Sequence, residues 1–200
     1  MSTTVIDPQG DFRLKVLVLE EVKDDKGSVM QLKDQATFQI SKDTLMKKSP
    51  VFQAALRQPS FRESQQDAYE MQGDSVISVE IWLREIHGQV PRIDVSLEEV
   101  WRVIKVCDQY DFPIDILNEW YARWYSVHPV ARWMHGWHPA GKFEKNEDPR
   151  CLLFPSWRFD HAAAFLEITK FLVYNSRPPI TETKPIGGWE LHLPARIIRK

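Results

Sequence analysis

Side chains that could bind a metal ion are concentrated between residues 128 and 161. His135 and His138 lie three positions apart, His128 precedes them, and Cys151 and His161 follow. Imidazole nitrogen and thiolate sulfur are ligands that zinc accepts. A structural zinc site typically has a second close pair of ligands, which is missing here, so we interpret the histidines as solvated loop residues. We therefore expect neither a metal nor another cofactor, and we keep a small zinc-dependent enzyme as an alternative.

Two carboxylates, Asp108 and Asp111, have a spacing that acid–base catalysis could use. General acid–base work would require that one of them be removed from water. Both lie where one predicted helix ends and the next begins, so we interpret them as capping and turn residues. The sequence also lacks Gly-x-Ser-x-Gly, His-Glu-x-x-His, Gly-x-Gly-x-x-Gly and P-loop motifs. We predict that the protein is not an enzyme.

A third feature of the sequence is a dense stretch of aromatic residues between 120 and 137, with arginines among them. Such a pattern can stack on single-stranded nucleic acid, which is the second alternative. The i,i+4 spacing instead favours a helix face packed on a core or on a partner. Lys and Arg number 26 against 28 Asp and Glu, a net charge of −2, so no basic excess supports nucleic-acid binding. We predict that Trp120 and Trp124 bind a protein partner. The stretch comprises Trp120, Tyr121, Trp124, Tyr125, Trp133 and Trp137, with Arg123 and Arg132 among them.

The composition is that of a globular domain that could hold these groups in place. Hydrophobic residues make up 43% and charged residues 27% of the 200 residues, which excludes disordered and collagen-like chains. The two cysteines, Cys107 and Cys151, form no disulfide framework and indicate a reducing compartment, either cytoplasm or nucleus. No apolar run approaches the ~20 residues that span a bilayer. The first residues have no basic segment followed by an apolar one, so we expect neither a secretory signal nor a membrane partner.

The first part of the chain predicts strands and short helices. A continuous apolar run predicts a strand buried on both faces, and an alternating run predicts a half-buried strand. Ser41 can cap one short helix, and Pro50 suits the first turn of another. The predicted strands are Leu14–Leu19, Ala36–Ile40 and Ala68–Met71.

Three longer helices are predicted next. Asp74 or Ser75 can cap the first, Gly88 ends it, and a Ser-x-x-Glu capping box starting at Ser96 opens the second. Pro113 suits the first turn of the third. Because strands and helices are segregated along the chain, the fold class is predicted as α+β. The apolar stripes predict burial of Trp82, Leu83, Ile86, Val103, Ile104 and Cys107.

The last part of the chain changes character. Residues 128–155 carry prolines, glycines and charges without periodicity, which predicts a long loop or linker. Asp160 can cap a final helix over 161–174.

Four stretches of this sequence resemble the BTB/POZ domain, in the form common in filamentous fungi. The resemblance covers residues 11–125 well and the remainder weakly. It departs from the family pattern at Ser41, which stands where a histidine is usual. The four stretches are Asp11–Val16, Thr37–Phe52, Tyr69–Gly88 and Val90–Trp124, the last with the phrase Val106-Cys107-Asp108-Gln109-Tyr110-Asp111.

The resemblance implies a small sheet flanked by helical hairpins, with a C-terminal helical extension. We accordingly predict a BTB/POZ-like domain over 11–126, an irregular linker over 127–158, and a helical extension with a tail over 159–200.

The resemblance also implies a protein-interaction module, either an adaptor or a scaffold that presents a partner to ubiquitylation or transcriptional machinery. Some members bind a cullin scaffold through a hydrophobic-x-Glu element just before the last strand of the sheet. Phe61, Arg62 and Glu63 occupy that place. An apolar residue in a polar loop is a natural interface anchor, and the alternative is that Phe61 folds back onto the core.

Many members of the family dimerise by exchanging an N-terminal helix and strand. About ten residues precede the first strand predicted here. We therefore expect that any homo-oligomer forms without a swapped N-terminus.

Overall fold

The computed structural model describes residues 3–24, 27–57, 67–134, 149–175 and 193. The chain divides into two compact units. The first comprises Met1–Arg92 and Lys105–Pro113, and the second comprises Ile93–Ile104 and Ile114–Lys200. The domain boundaries predicted at 126 and 158 do not coincide with those of the units. The mixture of helices with one four-stranded sheet confirms the α+β class.

The sheet of the first unit has the strand order β1-β3-β2-β4. Strands β2 and β3 form a long antiparallel hairpin, β1 is parallel to β3, and β4 is parallel to β2. All three predicted strands are present, and the first two are longer than predicted; β1 was not predicted. The strands are β1 (Thr3–Val5), β2 (Phe12–Asp24), β3 (Gly27–Ile40) and β4 (Ala68–Gln72).

The two faces of β2 differ in burial. Phe12, Leu14 and Val16 are buried and form the core face. On the other face Lys15 makes an ion pair of 3.3 Å with Glu70 of β4, and both side chains are partly exposed. The prediction that this strand is buried on both faces is therefore wrong, because the described residues of the second face are half-buried or exposed.

Two helices of the first unit begin at predicted caps, and a third begins at Pro50, the residue predicted for its first turn. The Ser41 hydroxyl accepts a hydrogen bond of 3.2 Å from the Thr44 N–H, and Ser75 caps the third helix in the same way. Gly88 has a φ of 69°, and the N–H of Gln89 donates to the carbonyl of Arg84, which is the Schellman ending that favours glycine. The helices are α1 (Lys42–Lys48), α2 (Pro50–Arg57) and α3 (Val76–Ile86).

Helix α4 (Leu97–Tyr110) contributes residues to both units. At its start, the Ser96 hydroxyl accepts from the Glu99 N–H at 3.2 Å. At its end, Asp111 has a φ of 51°, and the Phe112 N–H donates to the Cys107 carbonyl at 2.8 Å. The helix therefore ends at the place where the sequence predicted a turn, and Asp111 supplies its left-handed residue.

The second unit contains helical elements where a long loop was predicted. Pro129 opens one short helix, in a position where a proline costs no helical hydrogen bond. The prediction for 128–155 is wrong for these elements, since helices this short have no detectable apolar period; residues 135–148 lie outside the described part. The helices are α5 (Asn118–Val127), α6 (Pro129–Met134), α7 (Leu153–Arg158) and α8 (Ala162–Asn175), with 3-10 turns at Ile114–Leu117 and Pro149–Leu152.

The cap of α8 also differs from the prediction. Asp160 has a φ of 49°, and its N–H donates to the Trp157 carbonyl at 3.2 Å, so it ends α7. The ring Nδ1 of His161 accepts from the Ala164 N–H at 3.2 Å and caps α8 instead. An N-cap must lie one residue before the first helical residue, and a residue with positive φ cannot take that extended conformation.

The predicted core is confirmed at five of six positions. Trp82, Leu83, Val103, Ile104 and Cys107 are buried, whereas Ile86 is half-buried. Within the ranges that the structure describes, no helix combines the length and the apolar character that crossing a bilayer requires.

Candidate functional site

The predicted cullin-binding element falls between α2 and β4. Its residues Phe61, Arg62 and Glu63 lie outside the described residues. The chain after this segment is held by the sheet, because the carbonyl of Asp67 accepts from the Arg13 N–H at 3.0 Å. In the chain, the element follows α2 and precedes β4.

The prediction that Trp120 and Trp124 bind a partner is contradicted by their burial. Their side chains are 0% and 1% exposed. The indole N–H of Trp124 donates to the Val95 carbonyl at 2.9 Å, and Trp120 packs edge-to-face on Phe159. Two large indole rings at i,i+4 remove a large apolar area from water when they pack inside their own unit, and this burial stabilises the unit. The other interpretation of the spacing, a helix face packed on a core, is confirmed.

The tyrosines of α5 are also buried in the second unit. The Tyr121 hydroxyl and the Ser156 hydroxyl share a hydrogen bond of 2.8 Å, and the Tyr121 ring stacks on Phe159. Tyr125 donates to a Glu167 carboxylate oxygen at 3.3 Å. Burial raises the pKa of both phenols far above their ordinary value. These rings are closed to nucleobases, while Trp137 lies outside the described residues.

The candidate zinc ligands that the structure describes serve as packing and capping groups. Burial lowers the pKa of His128 to about 4, and its ring packs against Trp124. His161 caps α8, and Cys151 is a buried thiol whose main-chain carbonyl accepts from the Trp101 indole. Over 3–24, 27–57, 67–134, 149–175 and 193, no three His, Cys, Asp or Glu side chains are grouped to hold a metal ion. His135 and His138 are outside those ranges.

A buried carboxylate that the sequence indicated only as a possible cap forms a polar cluster in the first unit. Asp74 is 1% exposed and accepts from the Tyr110 hydroxyl at 2.8 Å. The ammonium of Lys105 lies 3.4 Å from its other oxygen. Desolvation, followed by the charge of Asp74, raises the pKa of Tyr110. The cluster attaches the loop before α3 to the end of α4, and no local pattern connects residues so distant in sequence.

Exposed apolar side chains mark two surfaces that the sequence analysis missed. Met30 and Leu32 of β3 are 58% and 51% exposed, and Leu166 and Val173 of α8 are 53% and 60% exposed. Isolated exposed apolar residues are common, but neighbours on one element are typical of interaction surfaces. In the sequence, the apolar run Leu14–Leu19 could have indicated the surface on the hairpin, because alternate residues of that run lie on the face away from the core.

An open groove at the edge of the sheet has a volume of about 430 Å³. Two of its polar side chains are engaged in the fold. An Asp11 carboxylate oxygen accepts from the Lys42 N–H at 2.9 Å, and the Gln39 amide donates to the Gly10 carbonyl at 3.0 Å. These contacts hold the turn between β1 and β2.

Comparison with known proteins adds no family to these observations. No family model matches the chain, and no curated protein matches it.

Proposed function

We propose that the protein is an interaction module of the BTB/POZ type that acts as an adaptor or scaffold. One observation carries the proposal, namely the order of elements in the first unit. The hairpin β2–β3 is followed by the short helices α1 and α2, then by β4 parallel to β2, and then by α3. This order agrees with the small sheet flanked by helical hairpins that the resemblance implies.

A second support comes from the groups that the enzyme alternative would need. Four described groups of the second unit, Tyr121, Tyr125, His128 and His161, are engaged in capping, stacking and hydrogen bonds. A group held in this way stabilises the unit and does not face a substrate. The two buried thiols, which form no disulfide, agree with a cytoplasmic or nuclear location.

The partner that we propose is a cullin scaffold, bound through Phe61-Arg62-Glu63. A phenylalanine supplies a large apolar area at low entropic cost, and a carboxylate two residues later can fix the register by a charged hydrogen bond. The segment follows the C-terminus of α2 and precedes β4, and the resemblance implies such an element at that position.

Titration against the N-terminal region of a cullin tests this function. We expect the Phe61→Ala variant to bind roughly 2 kcal/mol more weakly than the wild type, with an unchanged melting temperature. Glu63→Ala should lose less, and Gln65→Ala is the matched control that should lose nothing. If the wild type does not bind, the ligase-adaptor function is wrong. If Phe61→Ala lowers the melting temperature without changing binding, Phe61 belongs to the core.

For self-association, we propose that any homo-oligomer leaves the N-terminal strand on its own chain. Ile6 is buried, its N–H donates to the Gln39 carbonyl at 3.0 Å, and its carbonyl accepts from the Gln89 amide. Light scattering of the wild type and of a variant lacking residues 1–10 distinguishes the cases, with a thermal melt to establish that the shortened chain folds, because a folded variant loses its dimer only if the deleted segment was the exchanged one.

A further inference from the structure

The hairpin β2–β3 extends well past its neighbours in the sheet. Strand β4 pairs with β2 only from Arg13 to Leu17, and β1 pairs with β3 only from Thr37 to Gln39. From Val18 to Asp24, β2 pairs with β3 alone among the described strands. Two strands without a third are marginally stable in water. This two-stranded part, residues 18–24 with 27–34, is called the arm below.

Among the residues that the structure describes, the backbone of the arm has an open edge along β2. The Arg13 N–H donates to Asp67, and the Leu17 carbonyl accepts from the Gly73 N–H at 3.0 Å, so odd-numbered residues of β2 direct their backbone groups towards the β4 side. Even-numbered residues direct theirs towards β3. By this alternation, Leu19, Glu21 and Lys23 present N–H and C=O groups on the edge that continues the line of β4.

The two edges of the arm are not equivalent. The register shifts at Val18/Leu19, where Val18 pairs with Asp34 and Leu19 pairs with Leu32. The extra residue, Lys33, therefore lies in β3, and a bulge of this kind protects an edge from further pairing. Strand β2 carries no bulge, so its edge is the one that can accept another strand.

The outer face beside this edge is apolar. Leu19 and Leu32 are opposite each other, Leu17 lies on the same face of β2, and Met30 lies on the same face of β3. Met30 and Leu32 are more than half exposed. A strand that has apolar residues on both faces is normally covered on both. Here the described chain buries the face that carries Val16 and leaves Leu17 and Leu19 of the other face half-buried.

We infer that the outer edge of β2 from Leu19 to Lys23 is a strand-addition site for an extended partner segment with alternating apolar and basic residues. The open backbone groups would continue the ladder of β4, and the partner's apolar residues would cover Leu19 and Leu32. Glu20, Glu21 and Asp24 against Lys23 give this stretch a net negative charge, so the complementary segment is basic. The site is separate from Phe61-Arg62-Glu63, and it does not depend on cullin binding.

A peptide titration followed by NMR of the full chain tests the inference. The probe is an eight-residue peptide of alternating lysine and valine, and its matched control carries N-methyl groups on every second backbone nitrogen. Both peptides have the same charge, but only the first can complete a ladder. We expect the control to bind at least about tenfold more weakly, and the amides of Leu19, Glu21 and Lys23 to exchange more slowly only with the first peptide.

Two variants separate the backbone from the charge. Glu21→Pro removes an edge N–H that the β2–β3 ladder does not use, and it should reduce binding of the unmodified peptide to the level of the control peptide. Glu21→Gln retains the backbone donor and should keep the preference for the unmodified peptide. Equal binding of the two peptides to the wild type would overturn the inference. The inference would also be overturned if, in the absence of peptide, these amides became more protected as the protein concentration increased. A second copy of the chain would then occupy the edge.

Discussion

The Nε2 of His87 accepts a hydrogen bond of 3.2 Å from the main-chain N–H of Ser41, so the residue that ends α3 holds the residue that caps α1. The other ring nitrogen, Nδ1, lies 2.7 Å from the Leu83 carbonyl. Because a carbonyl can only accept, Nδ1 carries the proton and Nε2 is the acceptor. One imidazole ring therefore connects two helices that are far apart in sequence.

Replacing His87 with alanine should lower the free energy of unfolding by about 1–3 kcal/mol, because the main-chain N–H of Ser41 loses its acceptor, whereas the Leu83 carbonyl keeps the main-chain N–H of residue 87. Ser41→Ala should cost about 1 kcal/mol through the lost cap. Urea unfolding of the two single variants and the double variant measures both effects. Strictly additive losses would show that the His87 bond and the cap act independently.

Leu83→Ala should destabilise the protein by about 2–5 kcal/mol, since the side chain is fully buried in α3 and its removal leaves a cavity. Val90→Ala is the matched control, because Val90 is 73% exposed, and we expect a change within about half a kcal/mol. Chemical denaturation compares the two. A Leu83 loss as small as that of Val90 would show that the site collapses around the smaller side chain.

The bond between Tyr121 and Ser156 should contribute about 0.5–1.5 kcal/mol of coupling, as buried hydrogen bonds between neutral groups do. Tyr121→Phe and Ser156→Ala each leave one hydroxyl without this partner, and the double variant removes both. A double-mutant cycle from denaturation curves isolates the pairwise energy. No coupling would mean that the bond adds nothing to stability beyond the packing of the ring on Phe159.

Stability should fall as the pH drops from about 6.5 towards 4, because of His128. Burial holds the pKa of this histidine at about 4 in the folded protein, against 6.5 for an exposed one, so the unfolded chain takes up a proton that the folded chain excludes. The stabilisation is complete above pH 6.5 and decreases as the pH falls below it, by roughly 3 kcal/mol in total.

Melting curves between pH 7 and pH 5 of the wild type and of His128→Phe measure this contribution. The phenylalanine keeps a ring against Trp124 and cannot titrate, so its melting temperature should depend less on pH. The other titratable groups are shared by both proteins and cancel in the comparison. Equal slopes would contradict the assignment.

The sequence correctly predicts helix caps, helix ends and buried helix faces of the first unit, because each of these depends on residues that are close together in the sequence. The caps at Ser41 and Ser75, the glycine ending at Gly88 and the stripe that contains Leu83 each depend on residues within one or two turns, and all four are present. Strand β1 escaped prediction because three residues carry no period, and its pairing with β3 spans 34 residues from Thr3 to Thr37.

The candidate site was harder to predict for a related reason. The spacing of Trp120 and Trp124 shows that they share a helix face, but only tertiary packing decides whether a core or a partner covers that face. Asp160 has the residue type of a cap, and the tight turn after α7 gives the cap to His161 instead. Asp74 pairs with groups on α4, a relationship that no sequence window contains.

The two units alternate along the sequence, with one boundary inside α4, and this alternation constrains the order in which a ribosome can synthesise them. The first unit is complete only when Pro113 has emerged, and by then residues 93–104 of the second unit have already been made. A nascent chain cannot finish one unit before it begins the other. For the same reason a single crossover between genes that transfers the whole first unit also transfers residues 93–104 of the second, so neither unit can be exchanged alone.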